Sequence, residues 1–180
     1  MIGYTASFEK QVRQQNEKLL LQLPRRIRTV GKLLGRGAEG SVWESGDKAL
    51  KLTTHPHGGV TYRELEKLVS RFKQRPNPAV VSITEVGKIS RGHHWYRMER
   101  LWPLSDEEVA EVARVEYYYM RNRNFPGREG TGLNHRKREF LRNLNSLTAD
   151  GLMYNDFAYF NIMKNRAGEW KLIDIEGFLL

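Results

Sequence analysis

The stretch "TVGKLLGRGAEGSVWESGDKALKLT", Thr29 to Thr53, has the pattern of three short strands. From Thr29 the hydrophobic period changes from the helical spacing of the preceding residues to that of strands. A glycine-rich segment separates the first two strands, and Ser45-Gly46-Asp47 provides a tight turn before the third. Strands joined by such short turns pair with each other antiparallel. The stretch therefore predicts an antiparallel sheet in the first half of the chain.

The flanking sequence completes the expected order of elements. Residues 7–23 have helical spacing and end at Pro24, and "GVTYRELEKLVSRFKQ" predicts a second helix after the three strands. Two more strands follow in "AVVSITEVGKI" and "HHWYRMERLW". Ser105 is a candidate N-cap for the next helix, and "HRKREFLRNLNSLTAD" predicts another. Two short strands around a turn at Asn165–Glu169 close the sequence. The predicted class is α+β, with the antiparallel sheet first and helices afterwards.

Composition narrows the class of protein. The chain has 180 residues, 39% of them hydrophobic, with 4 Trp, 8 Tyr and 7 Phe, which favours a folded chain of one domain or two closely packed lobes. It has no cysteine, which excludes disulfides and thiolate zinc sites. We expect no membrane span, because the apolar runs are short, and no conventional secretory signal.

The charge of the chain is +9 and unevenly distributed. Between Arg121 and Arg142, seven Arg or Lys residues stand against two Glu, which leaves +5 in that segment. Such a segment favours a polyanionic partner: a nucleotide, a nucleic acid, an acidic protein or an anionic lipid. The alternative is a solvated surface that only keeps the protein soluble.

Three glycines and a valine in the opening stretch match the pattern G-x-G-x-x-G-x-V: Gly35, Gly37, Gly40 and Val42. Glycines let a hairpin approach phosphate groups and point amide N–H groups at them, because no Cβ intervenes. The pattern lies between two strands, whereas a dinucleotide-binding fingerprint lies between a strand and a helix. A purely structural hairpin is the alternative.

Lys51 lies on the third predicted strand between apolar residues. A buried ammonium group without a partner costs a large free energy, so we expect an acidic partner. Glu64 on the following helix is the first candidate, and Glu66 is the second. Alternatively, Lys51 extends its ammonium group to solvent from the edge of the strand.

The closing stretch "MYNDFAYFNIMKNRAGEWKLIDIEGF", Met153 to Phe178, contains Asp156, Asn161 and Asp174 at spacings of five and thirteen. Each one alone could be a turn residue. Together with the glycine pattern, the strand lysine and the helix glutamate, in this order, they make the chain resemble the protein-kinase-like superfamily from about Val30 to Gly177. Its shortness is similar to that of minimal bacterial and phage kinases. The chain also resembles the HopBF-type effector kinases, which are delivered by type III secretion and modify a host heat-shock chaperone.

The resemblance implies a fold and a site. It implies an N-terminal helical extension (1–27), a five-stranded antiparallel N-lobe with one helix (28–102), and a reduced helical C-lobe (103–180). The implied cofactors are ATP and Mg²⁺. The implied catalytic residues are Asp156, which orients the attacking hydroxyl and accepts its proton, with Lys51 and Glu64. The implied metal ligands are Asn161 and Asp174. The implied nucleotide-binding residues are Gly35, Gly37, Gly40, Val42, Lys51, Met98 at the gatekeeper position, Glu99 and Leu101.

Two motifs depart from those of ordinary protein kinases. The His-Arg-Asp of the family is Tyr154-Asn155-Asp156 here. Its Asp-Phe-Gly is Asp174-Ile175-Glu176, which is closer to the Asp-Phe-Glu of aminoglycoside and choline kinases. The sequence also ends six residues after Asp174. We therefore expect a C-lobe without an activation segment, and no regulation by phosphorylation of that segment.

The residues after Asp156 also lack a cation, because Ala158 and Phe160 occupy the nearby positions. The negative charge of the transition state must then be neutralised from elsewhere. Arg36 and the segment Arg121–Arg142 are the candidates.

These features predict an ATP- and Mg²⁺-dependent serine/threonine protein kinase that modifies a protein with an acidic surface. The resemblance to the HopBF-type kinases implies a host chaperone as that protein. Location in the cytoplasm, or secretion into a host cell by a non-classical route, follows from the resemblance. Two alternatives remain open: a small-molecule kinase of the aminoglycoside or choline type, and a pseudokinase binding module. A nucleic-acid-binding module that uses the basic segment is disfavoured, because the sequence has no recognisable groove-reading motif or aromatic stacking platform.

Overall fold

The structure, a computed structural model, describes residues 5–37, 40–54, 60–122, 133–154 and 157–179. The chain divides into two compact units, one formed by Met1–Val69 with Ile83–Arg100 and the other by Ser70–Ser82 with Leu101–Leu180. The α+β class and the five-stranded antiparallel sheet, both expected from the sequence, are confirmed. No described helix is long and apolar enough to cross a membrane.

The first unit is built on the five-stranded sheet, whose strand order is β1-β2-β3-β5-β4. All of its neighbouring strands are antiparallel. The turn predicted at Ser45-Gly46-Asp47 joins β2 and β3, and Gly46 has the positive φ of 63° that glycine adopts without strain. The elements are α1 (Ala6–Leu21), α2 (Arg25–Arg28), β1 (Leu33–Gly37), β2 (Gly40–Ser45), β3 (Lys48–Thr54), α3 (Tyr62–Gln74), β4 (Ile83–Ser90) and β5 (His93–Glu99).

The core of the first unit lies between the two N-terminal helices and one face of the sheet. Thr5 is the N-cap of α1, and its hydroxyl accepts a hydrogen bond from the backbone N–H of Phe8 (3.2 Å). Helices α1 and α2 share one core with the sheet. The buried residues of this core are Val12, Leu20, Leu23, Ile27, Val30, Leu33, Trp43, Leu50, Leu52 and Trp95.

The second unit combines two helices with short strand pairs. Ser105 is the N-cap of α4, as predicted: its hydroxyl accepts from the N–H of Glu108 (3.3 Å), and the Glu108 carboxylate accepts from the N–H of Ser105 (2.9 Å). The elements are α4 (Asp106–Asn122), α5 (His135–Ala149), β6 (Met153–Tyr154), β7 (Ile162–Lys164), β8 (Trp170–Leu172) and β9 (Phe178–Leu179), with 3₁₀ turns at Tyr159–Asn161 and Ile175–Gly177.

The hairpin β7–β8 has a paired neighbour on each side. The turn between its strands lies at Asn165–Glu169, as predicted, where the N–H of Asn165 donates to the carbonyl of Glu169 (2.9 Å). Trp102 pairs antiparallel with Lys164 of β7, and Val80 pairs parallel with Leu172 of β8. Isolated two-stranded hairpins are marginally stable, so these outer pairings stabilise the element.

Candidate nucleotide and metal site

One face of the sheet carries most of the residues predicted to bind a nucleotide. Directly paired residues of an antiparallel ladder project on the same face, and the face alternates along each strand. Val42 pairs with Lys51, and Lys51 pairs with Tyr96. Gly35 pairs with Val42 and lies on that face too. Met98 is two residues beyond Tyr96 on β5, so it shares the face. We call this side, opposite the core shared with α1 and α2, the Lys51 face.

Tyr96 is a residue of this face that the sequence did not single out. The ammonium group of Lys51 lies 5.5 Å from the centre of the Tyr96 ring, within the range of a cation–π contact. Tyr96 is fully buried, and Met98 beside it on the face is buried as well. The alternation in "HHWYRMER" contained a signal, because it places the tyrosine and the methionine on one face of a strand.

The three glycines of the pattern have different surroundings. A Cβ built on Gly40 would lie 2.0 Å from the carbonyl oxygen of Leu52, so the close approach of β2 to β3 requires glycine there. A Cβ on Gly35 would make only an ordinary contact with Val42 (3.9 Å). Among the described residues, nothing would lie within 4 Å of a Cβ on Gly37. Packing thus explains one glycine and leaves the other two available for another role.

Arg36 lies on the other side of the sheet from Lys51. It pairs with Ser41, which in turn pairs with Leu52 of the core face. Its guanidinium lies 5.9 Å from the ring of Phe8 on α1. The expectation that Arg36 neutralises charge at the Lys51 face therefore needs correction, because the strand register directs it towards α1.

The Glu64 carboxylate caps its own helix. Its Oε2 accepts hydrogen bonds from the backbone N–H and the hydroxyl of Thr61, both at 2.8 Å. These bonds lower the pKa of Glu64, with burial opposing them and the charge of Lys67 adding to them. The second candidate, Glu66, accepts from the hydroxyl of Tyr62 (3.2 Å). Pairing of Lys51 with Glu64 stays a prediction.

In the second unit, the predicted metal ligands Asn161 and Asp174 flank the open end of the β7–β8 hairpin. Ile162 pairs with Leu172, and the N–H of Ile173 donates to the carbonyl of Asn161 (2.9 Å). Asn161 is buried, and Asp174 follows Ile173 directly. The Asp174 carboxylate accepts from the N–H of Glu176 (3.1 Å), which caps the 3₁₀ turn. An amide and a carboxylate supply the oxygen ligands that Mg²⁺ prefers.

Asn155 and Asp156 lie outside the described residues, but both flanks of this pair are fixed by α4. The hydroxyl of Tyr119 donates to the carbonyl of Tyr154 (2.8 Å) on one side. On the other side, the N–H of Tyr159 donates to the carboxylate of Glu116 (3.2 Å). Sequence analysis missed both α4 residues, because their partners are about 35 to 43 positions away.

The strand pair β6–β9 joins the same flank to the segment after Asp174. Tyr154 pairs with Phe178, and their ring centroids are 4.8 Å apart. A Cβ on Gly177 would lie 2.5 Å from the Tyr154 ring, so this contact requires glycine. Strand β6, which precedes Asp156 in the sequence, and strand β9, which follows Asp174, are thereby packed against each other.

The remaining predicted nucleotide-binding residues lie at the end of β5. Glu99 is the last residue of that strand and pairs with Lys48. Leu101 follows two positions later and is grouped with the second unit. The interpretation that their backbone groups meet adenine stays a prediction.

Only part of the predicted basic surface is free of internal contacts. Residues 123–132 lie outside the described residues. Lys137 is mostly buried, forms an ion pair with Glu111 and lies 5.0 Å from the centre of the Trp170 ring. Arg136 donates to the carbonyl of Ala167 (2.8 Å). Lys137 therefore belongs to the packing of the unit rather than to a docking surface.

No protein-family model matches the chain, and no curated protein matches its sequence. Within the described part of the chain, no group of three or more His, Cys, Asp or Glu residues is arranged to hold a metal ion.

Proposed function

We propose that this protein is an ATP- and Mg²⁺-dependent phosphotransferase with a protein-kinase-like fold, and that it transfers the γ-phosphoryl group to a hydroxyl of a protein substrate. The carrying observation is the composition of the Lys51 face. Gly35, Val42, Lys51 and Met98 are dispersed over 64 residues of sequence, and the strand register aligns all four on one side of the sheet. The glycine, the valine and the strand lysine are the residue types that cover and orient the phosphates of ATP in protein kinases.

The second unit supports the proposal through the β7–β8 hairpin, because Asn161 and Asp174 flank its open end. In the proposed reaction, these two residues hold Mg²⁺, and Asp156 accepts the proton of the attacking hydroxyl. Bound Mg²⁺ would supply neutralisation of charge on the phosphates. Lys51 orients the phosphates through its ammonium group, and the backbone N–H groups of the glycine pattern face them.

The decisive test compares Asp174→Asn with the unmodified protein. Asparagine keeps an oxygen that can accept from the N–H of Glu176, so the 3₁₀ turn should survive, whereas the charge for Mg²⁺ is lost. Transfer of labelled phosphate from ATP, measured alone and with added cell lysate, should fall by about a hundredfold or more in the variant. ATP binding measured by calorimetry should lose its dependence on Mg²⁺.

Three results would contradict the proposal or a part of it. Turnover of Asp174→Asn at the rate of the unmodified protein would remove Asp174 from the site. Binding of ATP without any transfer to protein, water or small alcohols would support the pseudokinase alternative. Transfer to aminoglycosides or choline, but to no protein in the lysate, would instead favour a small-molecule kinase.

A further inference from the structure

We infer that α1 is a positioning element for the β1–β2 hairpin, and that Phe8 acts on the hairpin through Arg36. The part of this inference that concerns nucleotide binding rests on the proposed function. Phe8 and Arg36 lie far from each other in sequence, and neither is assigned a role by the nucleotide pattern. They meet because the strand register directs Arg36 towards the helix rather than towards the Lys51 face.

Helix α1 is held in place by residues buried in the core of the first unit, so it can restrict the motion of the neighbouring strand β1. Val12 is fully buried in the core of the first unit, and Leu20 is nearly so. Arg13, on the same helix, contacts both the segment just before β1 and the strand β2. Its guanidinium donates to the carbonyl of Gly31 just before β1 (2.5 Å) and lies 4.8 Å from the centre of the Trp43 ring on β2. These contacts fix the base of the hairpin against α1.

Phe8 lies one helical turn earlier than Val12 and extends this support along β1. Its ring packs on the core and lies 5.9 Å from the guanidinium of Arg36. Arg36 stands between Gly35 and Gly37, which have no side chains with which to pack. On this part of β1, Arg36 is thus the side chain through which a neighbouring element can hold the strand.

Contacts that order β1 matter for ATP binding because this strand is rich in glycine. Glycine loses more backbone freedom on ordering than other residues, so a glycine-rich strand costs more to hold in one conformation. If β1 is already ordered before ATP binds, the free energy of ATP binding is reduced less by the ordering of the strand. Loss of the Phe8–Arg36 contact should therefore weaken nucleotide binding and leave the chemical step nearly unchanged.

The test uses two substitutions at Phe8 and one control on the same helix. Phe8→Leu keeps an apolar side chain in the core but removes the aromatic face, whereas Phe8→Tyr keeps the ring. Leu21→Ala removes an exposed side chain from the other end of α1. Hydrogen–deuterium exchange of the amides of 33–37 and 40–45 is measured without nucleotide, together with KM for ATP and kcat.

We expect Phe8→Leu to speed exchange in β1 and to raise KM for ATP about two- to fivefold, with kcat nearly unchanged. Phe8→Tyr and Leu21→Ala should both behave like the unmodified protein. In a double-mutant cycle, the effects of Phe8→Leu and Arg36→Met on exchange and on KM should be less than additive, because either substitution already breaks the contact between the two side chains.

The exchange measurement decides the inference independently of the proposed function. If the unmodified protein neither binds nor hydrolyses ATP, the proposed function fails, and faster exchange in Phe8→Leu still supports the positioning role. Unchanged exchange in Phe8→Leu would overturn the inference. Equal effects of Phe8→Leu and Phe8→Tyr would overturn it as well, because the ring would then not be the group that acts.

Discussion

At the scale of single residues, the glycines of the β1–β2 hairpin separate a packing requirement from a functional one. Gly40 is needed because the backbone of β3 passes within 2.0 Å of where its Cβ would be. Gly37 faces no such neighbour among the described residues, and it belongs to the same sequence pattern. The two positions therefore form a matched pair for substitution.

We predict that Gly40→Ala lowers the free energy of unfolding by about 2 kcal/mol or more, since the strands must move apart to admit the methyl group. Gly37→Ala should unfold at the temperature of the unmodified protein, within about 2 °C. It should still weaken ATP binding if the N–H groups of this segment face phosphate. Thermal unfolding by circular dichroism measures the first effect. Equal unfolding temperatures for the two variants would contradict the packing argument.

Glu64 accepts hydrogen bonds from Thr61 and is predicted to pair with Lys51. Substitutions can test these two contacts independently. Thr61→Ala disrupts the capping box and leaves the carboxylate in place. If Glu64 only caps α3, Thr61→Ala and Glu64→Gln should each lower stability by about 1 kcal/mol and affect activity equally.

If Glu64 pairs with Lys51 during the reaction, Glu64→Gln should reduce kcat far more than Thr61→Ala does. Lys51→Met combined with Glu64→Gln should then be little worse than either alone, because the two residues act as a unit. A larger loss in Glu66→Gln than in Glu64→Gln would assign the pairing to Glu66.

At the scale of elements, α4 and the β7–β8 hairpin are joined by a carboxylate at the N-terminus of the helix. Glu108 accepts from the ammonium group of Lys164 (2.5 Å), from the N–H of Ser105 (2.9 Å) and from the indole N–H of Trp170 (3.3 Å). Burial by itself would raise its pKa, but these bonds and the charge of Lys164 outweigh burial and lower the pKa to about 2.

This pKa shift predicts how stability depends on pH. Because the folded pKa lies below the ordinary value of 4.5, Glu108 stabilises the fold fully above pH 4.5. The contribution, on the order of 2 to 3 kcal/mol, is lost as pH falls from 4.5 towards 2. Urea unfolding between pH 2 and 7 should show a steeper loss in the unmodified protein than in Glu108→Gln. Glu107→Gln, at an exposed neighbour, should keep the steep loss; a flat profile in the unmodified protein would contradict the assignment.

The sequence was sufficient to predict those elements whose pattern lies within one continuous segment of the chain. Alternation and turn residues located the five strands, and Ser105 indicated the start of α4. "TYRE", Thr61–Glu64, has the same capping-box spacing, but its glutamate was assigned only to Lys51. The contacts of Glu116 and Tyr119 with the flanks of Asp156 could not be predicted, because no pattern within one segment encodes a partner in another.

At the scale of the whole molecule, each of the two compact units is formed by two separate segments of the chain. The predicted boundaries at residues 27 and 102 treat the sheet and its helix as one continuous segment. In the structure, Ser70–Ser82 belongs to the second unit, so the division falls inside α3. Phe72 shows the reason: its ring lies 5.4 Å from that of Phe178, near the other end of the sequence. The spacing of Leu65, Leu68, Val69 and Phe72 places them on one face of the helix, and all four are buried. This spacing does not indicate which of the two units each residue belongs to.

The charge of the molecule, +9, is the property that bears most on its partner. The sequence alone would suggest neutralising Arg136, Lys137 and Arg138 together as a test of docking. That variant would confound two effects, because the ion pair of Lys137 with Glu111 is mostly buried and its loss destabilises the unit. Arg138 and Arg142 are exposed and one helical turn apart on α5, so they are the better probes.

We predict that replacing Arg138 and Arg142 together by Gln raises KM for an acidic protein acceptor, such as dephosphorylated casein, by about two- to tenfold. KM for ATP should stay unchanged, and so should the unfolding temperature, whereas Lys137→Gln should lower that temperature. Added salt should weaken the reaction of the unmodified protein more than that of the double variant, since exposed charges are screened over about 8 Å at physiological ionic strength. If the double variant keeps both the KM and the salt response, these two arginines serve only solubility, and the acidic partner must contact the protein elsewhere.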